Sequence, residues 1–321
     1  MVTGPIVDSG LVLLREAGSV WSWDGEVPMP ADERNTRLAD ARAAVTMIAD
    51  RVDHDFLDAA PHLQIVANVA VGYDNIDVAA CRERNVVVTN TPGVLADATA
   101  DLAMSLLLMI TRRLGEGERL IRSGEPWKWN MFMLLGTSIR GRRLGIVGMG
   151  DIGTALADRA QAFGMEIVYH NRSEVDPAIA ARLGAERVEL DELLATSDVV
   201  SLNCPYSDDT QHLIDAHALA TMKPAAFLVN TARGPIVDEA ALAGALSANI
   251  IAGAALDVFE NEPEVHPALL ELDNVVLVPH LGSATVETRG AMADLAARNV
   301  AAVLAGRPPI TPVGATQPDD D

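Results

Sequence analysis

The chain has 321 residues, a formal net charge of −21 and only 4% aromatic residues. This length suits about two domains of ordinary size. Nucleic-acid binding needs clustered basic residues and often exposed aromatic rings, and anionic membranes repel an acidic surface, so neither nucleic acid nor membrane is an expected partner.

Short apolar runs alternate with helical patterns along the whole chain. The runs are rich in Val and Ile without strict alternation, which is typical of parallel strands buried on both faces. We therefore predict an α/β fold with parallel sheets and right-handed crossovers. The predicted strands are Ala44–Ile48, Gln64–Ala67, Val86–Thr89, Arg143–Val147, Glu166–His170, Val199–Asn203, Ala226–Asn230, Ile251–Leu256 and Val275–Val278. The predicted helices are Asp97–Arg113, Ile152–Phe163, Pro177–Leu183, Asp191–Ala195, Glu239–Ser247 and Ala284–Leu304.

Two long helical patterns, Asp97–Arg113 and Ala284–Leu304, flank the central block of the chain. They are candidates for the crossovers that join two lobes, with the C-terminus returning to the N-terminal lobe. The polar, proline-bearing tail, residues 311–321, is predicted to be frayed.

The cysteine content and the N-terminus bear on compartment. Two cysteines, Cys81 and Cys204, cannot form a disulfide framework, and no Cys/His spacing predicts a metal site. The first 18 residues show no basic region ahead of an apolar stretch. We expect a soluble, reduced, cytoplasmic protein.

A glycine-rich segment follows the apolar strand that ends at Val147. Gly148, Gly150 and Gly153 have the spacing of a dinucleotide-binding turn and precede a predicted helix that begins at Ile152. The first glycine allows the tight turn, the second lets the backbone approach a pyrophosphate, and the third allows close helix packing. The helix N-terminus would add N–H donors and a positive dipole end.

The next strand ends without the acidic residue that usually binds the 2′-hydroxyl of NAD. Asn171, Arg172 and Ser173 stand there instead. Because Arg can bind a 2′-phosphate in a bidentate manner, NADP(H) is favoured over NAD(H). An Arg that is only a solvated loop charge is the alternative, and it leaves NAD(H) open.

Three ionisable residues follow three successive strands. Arg233, Glu262 and His280 each come shortly after a strand end, which is where open α/β sheets bind ligands. Arg can bind a carboxylate, His can transfer a proton near neutral pH, and Glu can orient the His. Each has a structural alternative, but together they indicate a catalytic set.

These segments resemble those of the D-isomer-specific 2-hydroxyacid dehydrogenases, and most closely the glyoxylate/hydroxypyruvate reductase branch. The resemblance extends from about residue 43 to residue 306. It rests on the segments Val71–Asp77, Val94–Asp101, Gly148–Gly153, Asn230–Gly234, Asp257–Pro263 and Pro279–Thr285. The lysine of phosphite dehydrogenase relatives and the glutamine of formate dehydrogenases are missing.

The resemblance implies two Rossmann-like lobes. Residues 98–285 would form the dinucleotide-binding lobe, inserted into a discontinuous substrate lobe of residues 1–97 and 286–321. It implies reduction of a small 2-oxoacid, such as glyoxylate or hydroxypyruvate, to a D-2-hydroxyacid. His280 would donate the proton, Glu262 would keep it protonated, and Arg233 would bind the substrate carboxylate together with the N–H groups of Val71 and Gly72.

The resemblance also implies cofactor contacts. Asp257 would contact the nicotinamide end, Thr99 a phosphate, and Thr231 and Cys204 would line the groove. Cys204 can equally be a buried structural residue, and Asp151 departs from the family pattern with a carboxylate that would repel a pyrophosphate if it pointed inward. The complete predicted cofactor set is Thr99, Gly148, Gly150, Asp151, Ile152, Gly153, Asn171, Arg172, Ser173, Cys204, Thr231, Ala232, Asp257 and Gly282.

Two further expectations concern partners. Trp127 and Trp129 lie in an apolar loop where this branch often lends a tryptophan to the neighbouring subunit, which leads us to expect a homodimer. The corepressors known as C-terminal binding proteins share the fold, so a nucleotide-sensing binding protein is the alternative function.

Overall fold

A computed structural model describes residues 1–25 and 29–314; the end of the predicted frayed tail, residues 315–321, lies outside that range. The chain divides into two compact units. Unit 1 comprises Met1–Leu95 and the chain from Ser283 onward, and unit 2 comprises Ala96–Gly282. The sequence predicts boundaries after residues 97 and 285, a few residues further on.

The ten strands of the described residues are β1 Ala43–Thr46, β2 Ile65–Asn68, β3 Val87–Thr89, β4 Arg143–Val147, β5 Glu166–His170, β6 Glu186–Arg187, β7 Val199–Leu202, β8 Phe227–Asn230, β9 Gly253–Leu256 and β10 Val275–Leu277. The α-helices there are α1 Asp8–Ala17, α2 Ala31–Leu38, α3 His54–Asp58, α4 Val78–Glu83, α5 Ala96–Thr111, α6 Leu114–Ser123, α7 Asp151–Ala162, α8 Pro177–Leu183, α9 Leu190–Thr196, α10 Ala216–Thr221, α11 Glu239–Ser247, α12 Pro267–Leu270 and α13 Val286–Leu304.

Unit 1 is built on a three-stranded parallel sheet in the order β1-β2-β3. Its strands are short and almost wholly buried, because helices cover both faces. On one face α1 packs on α13, and the small residues Gly10 and Ala293 let these helices approach closely. On the other face Phe56 of α3 and Cys81 of α4 are fully buried.

Unit 2 contains a seven-stranded parallel sheet in the order β10-β9-β8-β7-β4-β5-β6. The chain runs outward from β4 through β5 to β6 and then resumes at β7, on the other side of β4. This reversal creates a topological switch point between β4 and β7, where open α/β sheets bind ligands. Side chains of α5 and α7 pack on one face, and side chains of α9, α10 and α11 pack on the other.

The predicted α/β class with parallel sheets is confirmed. All nine predicted strands and all six predicted helices are present, with ends shifted by at most two residues. The prediction missed the two-residue strand β6 and seven helices, α1 to α4, α6, α10 and α12. Most of these helices are short, and in α2 only Leu38 is buried, so the apolar periodicity is too weak to mark a helix.

Candidate active site

Three adjacent strands of unit 2 deliver the predicted catalytic residues to one edge of its sheet. Arg233 lies three residues after β8, Glu262 follows β9, and His280 lies three residues after β10. Because β8, β9 and β10 are parallel neighbours, their carboxyl ends meet at the same edge.

The structure pairs His280 with Glu262. The Nδ1 atom of His280 lies 2.8 Å from Oε2 of Glu262, and the other carboxylate oxygen accepts the N–H of Phe259 at 3.0 Å. Burial would raise the pKa of Glu262, but the hydrogen bond and charge of His280, together with the charge of Arg233, hold it below its usual value. Glu262 is therefore a carboxylate at neutral pH, and Nε2 of His280 is the ring nitrogen left for a substrate.

Asp257 is buried beneath the His280 segment. Its carboxylate accepts the N–H of Leu281 at 2.5 Å and the N–H of Gly282 at 2.9 Å, and its backbone carbonyl accepts the N–H of His280 at 2.8 Å. Burial raises its pKa, although these N–H donors oppose the shift. His280 adopts a left-handed backbone conformation, with φ of 51°, and this network holds it there.

The Arg233 segment is held by the side chain of Asn230 at the end of β8. Its Oδ1 accepts the N–H of Ala232 at 3.0 Å, and its Nδ2 donates to the carbonyl of Arg233 at 2.9 Å. A Cβ atom on Gly234 would lie 1.9 Å from the carbonyl of Phe259, so only glycine fits there. The segments that carry Arg233 and Glu262 are thus in backbone contact.

Sequence reasoning missed Glu239, which supports the same loop. This residue is 4% exposed at the start of α11, and its two carboxylate oxygens accept the N–H groups of Glu260 at 2.6 Å and His266 at 3.3 Å. A second missed residue, His212, pairs through Nε2 with the Glu260 carboxylate at 2.7 Å. The acidic pair Asp238–Glu239 after a strand was the available signal, but it also fits an ordinary helix start.

The glycine loop between β4 and α7 has the geometry of a phosphate-binding turn. Gly148 has φ of 91°, and a Cβ atom there would lie 2.4 Å from the backbone N of Cys204. A Cβ on Gly153 would lie 2.6 Å from the carbonyl oxygen of Gly148. At Gly150, by contrast, no atom of residues 1–25 or 29–314 outside the adjoining backbone lies within 4 Å of that position, so a ligand can approach the backbone. Asp151 is exposed as the first residue of α7, ahead of Ile152.

Asn171 supports this loop from the end of β5. Its side chain accepts the N–H of Met149 at 2.6 Å and donates to the Met149 carbonyl at 3.3 Å. Arg172 and Ser173 are exposed beyond it. Arg187 of β6, which the prediction overlooked, donates to the carbonyls of Asn171 at 2.9 Å and Arg172 at 3.2 Å.

The residues along the switch point fit a nicotinamide dinucleotide. The backbone at Gly150 is open, and no side chain in the described part of the chain caps α7, which leaves the first N–H groups of this helix for a phosphate. The buried oxygens Oδ1 of Asn203 and Oγ1 of Thr231 have no hydrogen-bond partner among the described residues. Such orphaned polar atoms call for a polar ligand.

Other predicted cofactor residues lie in unit 2 as well. Thr99 is buried in α5, and a Cβ atom on Gly282 would lie 3.4 Å from its methyl group and 3.3 Å from Asp257. Ala232 is half-buried after β8. Burial raises the pKa of the Cys204 thiol to about 11, so Cys204 is an uncharged residue of the groove.

Val71 and Gly72 belong to unit 1, in the turn that follows β2. Both are half-buried. Within residues 1–25 and 29–314, no group of three His, Cys, Asp or Glu residues could hold a metal ion. No helix in the same ranges is long and apolar enough to cross a membrane.

Comparison with known proteins places the chain in a family. Residues 104–282 match the model for the NAD binding domain of D-isomer specific 2-hydroxyacid dehydrogenase. The chain is 48% identical over 316 residues to glyoxylate reductase of Thermococcus onnurineus, an alignment covering 97% of this chain and 94% of that protein. The chain belongs to the D-isomer specific 2-hydroxyacid dehydrogenase family, and the predicted resemblance is confirmed.

Solved structures agree with this assignment. A protein of Thermus thermophilus superposes with a TM-score of 0.91 at 42% identity, covering 97% of this chain and 98% of that one. An NADPH-dependent glyoxylate/hydroxypyruvate reductase of Sinorhizobium meliloti, solved with NADP and malonate, superposes with a TM-score of 0.84 at 37% identity. The alignment covers 98% of this chain and 95% of that one.

Proposed function

We propose that the protein is an NADPH-dependent reductase of small 2-oxoacids, with glyoxylate and hydroxypyruvate as candidate substrates. The observation that carries this proposal is the His280–Glu262 pair, which lies at the sheet edge where Arg233 also emerges. Reduction of a 2-oxoacid by a nicotinamide cofactor requires two groups from the protein, a proton donor and a cation that binds the carboxylate. Relatives named as glyoxylate reductases support the same activity.

The proposed roles follow from the contacts of each residue. Arg233 binds the substrate carboxylate and polarises the 2-oxo group. His280 donates the proton at Nε2 to the carbonyl oxygen, because its Nδ1 is engaged by Glu262. Glu262 keeps the ring oriented through this hydrogen bond. The nicotinamide cofactor, when bound, supplies the hydride that converts the 2-oxoacid to the 2-hydroxyacid, with D configuration where carbon 2 is a stereocentre.

The remaining predicted residues are assigned to binding. The N–H groups of Val71 and Gly72 would donate to the substrate carboxylate. Unit 2 would hold the cofactor through the glycine loop, the start of α7 and the groove residues described above, and unit 1 would be the substrate lobe. In unit 2, Asn171 supports the glycine loop through its hydrogen bonds to the Met149 backbone. Asp257 supports the His280 segment through its hydrogen bonds to the backbone of Leu281 and Gly282, in addition to any contact with the cofactor.

The deciding experiment is an assay of the purified protein with a panel of 2-oxoacids and both reduced cofactors. We expect oxidation of NADPH with glyoxylate or hydroxypyruvate, and no cofactor oxidation with any 2-oxoacid would refute the enzyme. In that case the corepressor-like alternative would predict tight NADPH binding without turnover. The reductase names of the relatives favour the enzyme.

We propose NADP(H) as the preferred cofactor because Arg172 follows β5, where NAD enzymes place a carboxylate, and Arg187 of β6 supports it by donating to its carbonyl. Arg172→Ala should raise the Kd of NADPH about tenfold or more and leave that of NADH nearly unchanged. Arg307→Ala, which removes an exposed charge from unit 1, is the control. Equal losses for both cofactors would show that Arg172 does not read the 2′-phosphate.

We propose a homodimer formed through the apolar loop after α6. Trp129, Met131 and Phe132 are each more than 70% exposed, and Trp127 is half-exposed. A cluster of large apolar side chains that are exposed together is typical of a subunit interface. Light scattering should give twice the mass of the 34.0 kDa chain, and Phe132→Glu should give the monomer. A monomeric wild type would refute the interface.

We also propose that the enzyme works in the cytoplasm, where NADPH is available. Its two cysteines are free thiols, as a reducing compartment requires. Fractionation of cells should place the activity with the cytosolic proteins, and recovery in an extracytoplasmic fraction would refute this.

A further inference from the structure

In the turn after β2, the carbonyl groups of Ala70 and Val71 are held by hydrogen bonds. The Ala70 carbonyl accepts the backbone N–H of Thr91 at 2.9 Å. The Val71 carbonyl accepts a hydrogen bond from Nδ2 of Asn90 at 2.8 Å. The donor is therefore a backbone N–H at Ala70 and a side-chain amide at Val71.

These two hydrogen bonds determine the directions of the N–H groups of Val71 and Gly72. A trans peptide group is planar, and its C=O and N–H point in opposite directions. The Ala70 carbonyl shares a peptide group with the N–H of Val71, and the Val71 carbonyl shares one with the N–H of Gly72. Among the described residues neither N–H has an acceptor. Both are therefore held in a fixed direction and left for a ligand.

Asn90 is itself anchored from α13. Its carbonyl accepts the hydroxyl of Thr311 at 2.6 Å, and its N–H donates to the Thr311 carbonyl at 3.3 Å. Thr311 in turn is bonded by the fully buried Asn299, through Nδ2 to its hydroxyl at 2.8 Å and through Oδ1 from its N–H at 3.1 Å. The amide that bonds Val71 is thus the end of a hydrogen-bonded chain from the interior of unit 1.

We propose that Asn90 is a positioning residue for the substrate carboxylate, because it fixes the peptide group that presents the N–H of Gly72. This inference rests on the proposed function. The hydrogen bond to the Ala70 carbonyl comes from the backbone of Thr91 and does not involve the Asn90 side chain. A substitution of Asn90 should therefore change the direction of the Gly72 N–H and leave that of the Val71 N–H in place. Asn68 bonds the Gly72 carbonyl at 3.0 Å, which orients the N–H of Tyr73 instead.

The test is a comparison of Asn90→Ala with wild type in glyoxylate reduction. The variant should raise the KM for glyoxylate and the inhibition constant of oxalate about tenfold, as expected for a misdirected hydrogen bond to a carboxylate. It should lower kcat less, and leave the Kd of NADPH within about twofold. Asn274→Ala is the matched control. Asn274 is also half-buried and donates to two backbone carbonyls, but it lies at the amino ends of the unit 2 strands, away from the carboxyl ends that carry the catalytic residues.

Thr311→Val keeps the amide of Asn90 but removes one of its anchors, and should raise the KM about twofold to threefold. If Asn90→Ala does not fold, this variant decides the question alone. A wild-type KM in the folded variants, or a KM change no larger than that of Asn274→Ala, overturns the proposal. So does an equal loss of NADPH and oxalate binding. Failure of the wild type to reduce any 2-oxoacid would instead refute the proposed function.

Discussion

At the scale of single residues, the proposed chemistry depends on two acidic residues that hold different parts of His280. Glu262 engages Nδ1 of His280, and Asp257 holds the backbone on both sides of the ring. Two carboxylates therefore act on His280 in different ways: one through its side chain and one through its peptide groups. This separation allows each contribution to be measured.

His280→Asn tests proton donation. The amide is smaller and does not protonate, so kcat for glyoxylate should fall by about a hundredfold to ten-thousandfold. The Kd of NADPH, measured by fluorescence, should stay within about twofold, because the glycine loop lies after β4. A near-normal kcat, or a loss of activity that comes entirely from weaker NADPH binding, would contradict the role of His280.

Glu262→Gln tests the ion pair through pH. The folded state holds the pKa of Glu262 below its ordinary value of 4.5, so its contribution to stability is present above that value and is lost as pH falls through the lower folded pKa. The Tm of wild type should exceed that of the variant at pH 6, and the two should converge as pH falls from 4.5 through the lower folded pKa. Glu264→Gln, at an exposed position two residues away, should show no such convergence. A Tm difference that is constant with pH would refute the pair.

At the scale of elements, the buried strands could be predicted from sequence, since β4, β7 and β8 are Val- and Leu-rich runs. The missed short helices also left a signal. Aspartate side chains cap α3, α4 and α10 by accepting an N–H of the first turn, at Asp53, Asp77 and Asp215. An N-cap aspartate looks like any surface charge unless the helix is already suspected.

The candidate site divides in the same way. The strand-end positions of Arg233, Glu262 and His280 follow from local sequence, because they depend only on where strands end. The contacts of Asn171, Glu239 and Asn90 join segments 19 to 27 residues apart in the chain. No local pattern shows such contacts, since they depend on how the segments pack.

The glycine loop gives the prediction at this scale. Gly150→Ala should leave the Tm unchanged, since the added methyl group meets no atom of the described residues within 4 Å beyond the adjoining backbone, and φ is −86°. The methyl group would still obstruct a phosphate, so the Kd of NADPH should rise about tenfold or more. Gly244→Ala, in the open middle of α11, should be neutral or stabilising and bind NADPH normally. Normal NADPH binding by Gly150→Ala would place the phosphates elsewhere.

At the scale of the whole molecule, the net charge of −21 has the same sign as the ligands assigned to the site. The long-range field should slow the capture of glyoxylate at low ionic strength. Raising salt from about 10 mM to 150 mM shortens the screening length from about 30 Å to 8 Å. We therefore expect kcat/KM for glyoxylate to rise with salt over this range while kcat stays constant. A fall in kcat/KM would show that the local charge of Arg233 outweighs the field.

The segment after α13 has a practical meaning for anyone who shortens or extends this chain. The sequence predicts that residues 311–321 are frayed, but Thr311 to Val313 lie against β3, with Pro312 bridging Thr89 and the N–H of Val313 donating to Val88 at 2.8 Å. Truncation at residue 310 would uncover the edge of the unit 1 sheet and invite aggregation. A purification tag fused after Gly314 leaves that edge covered.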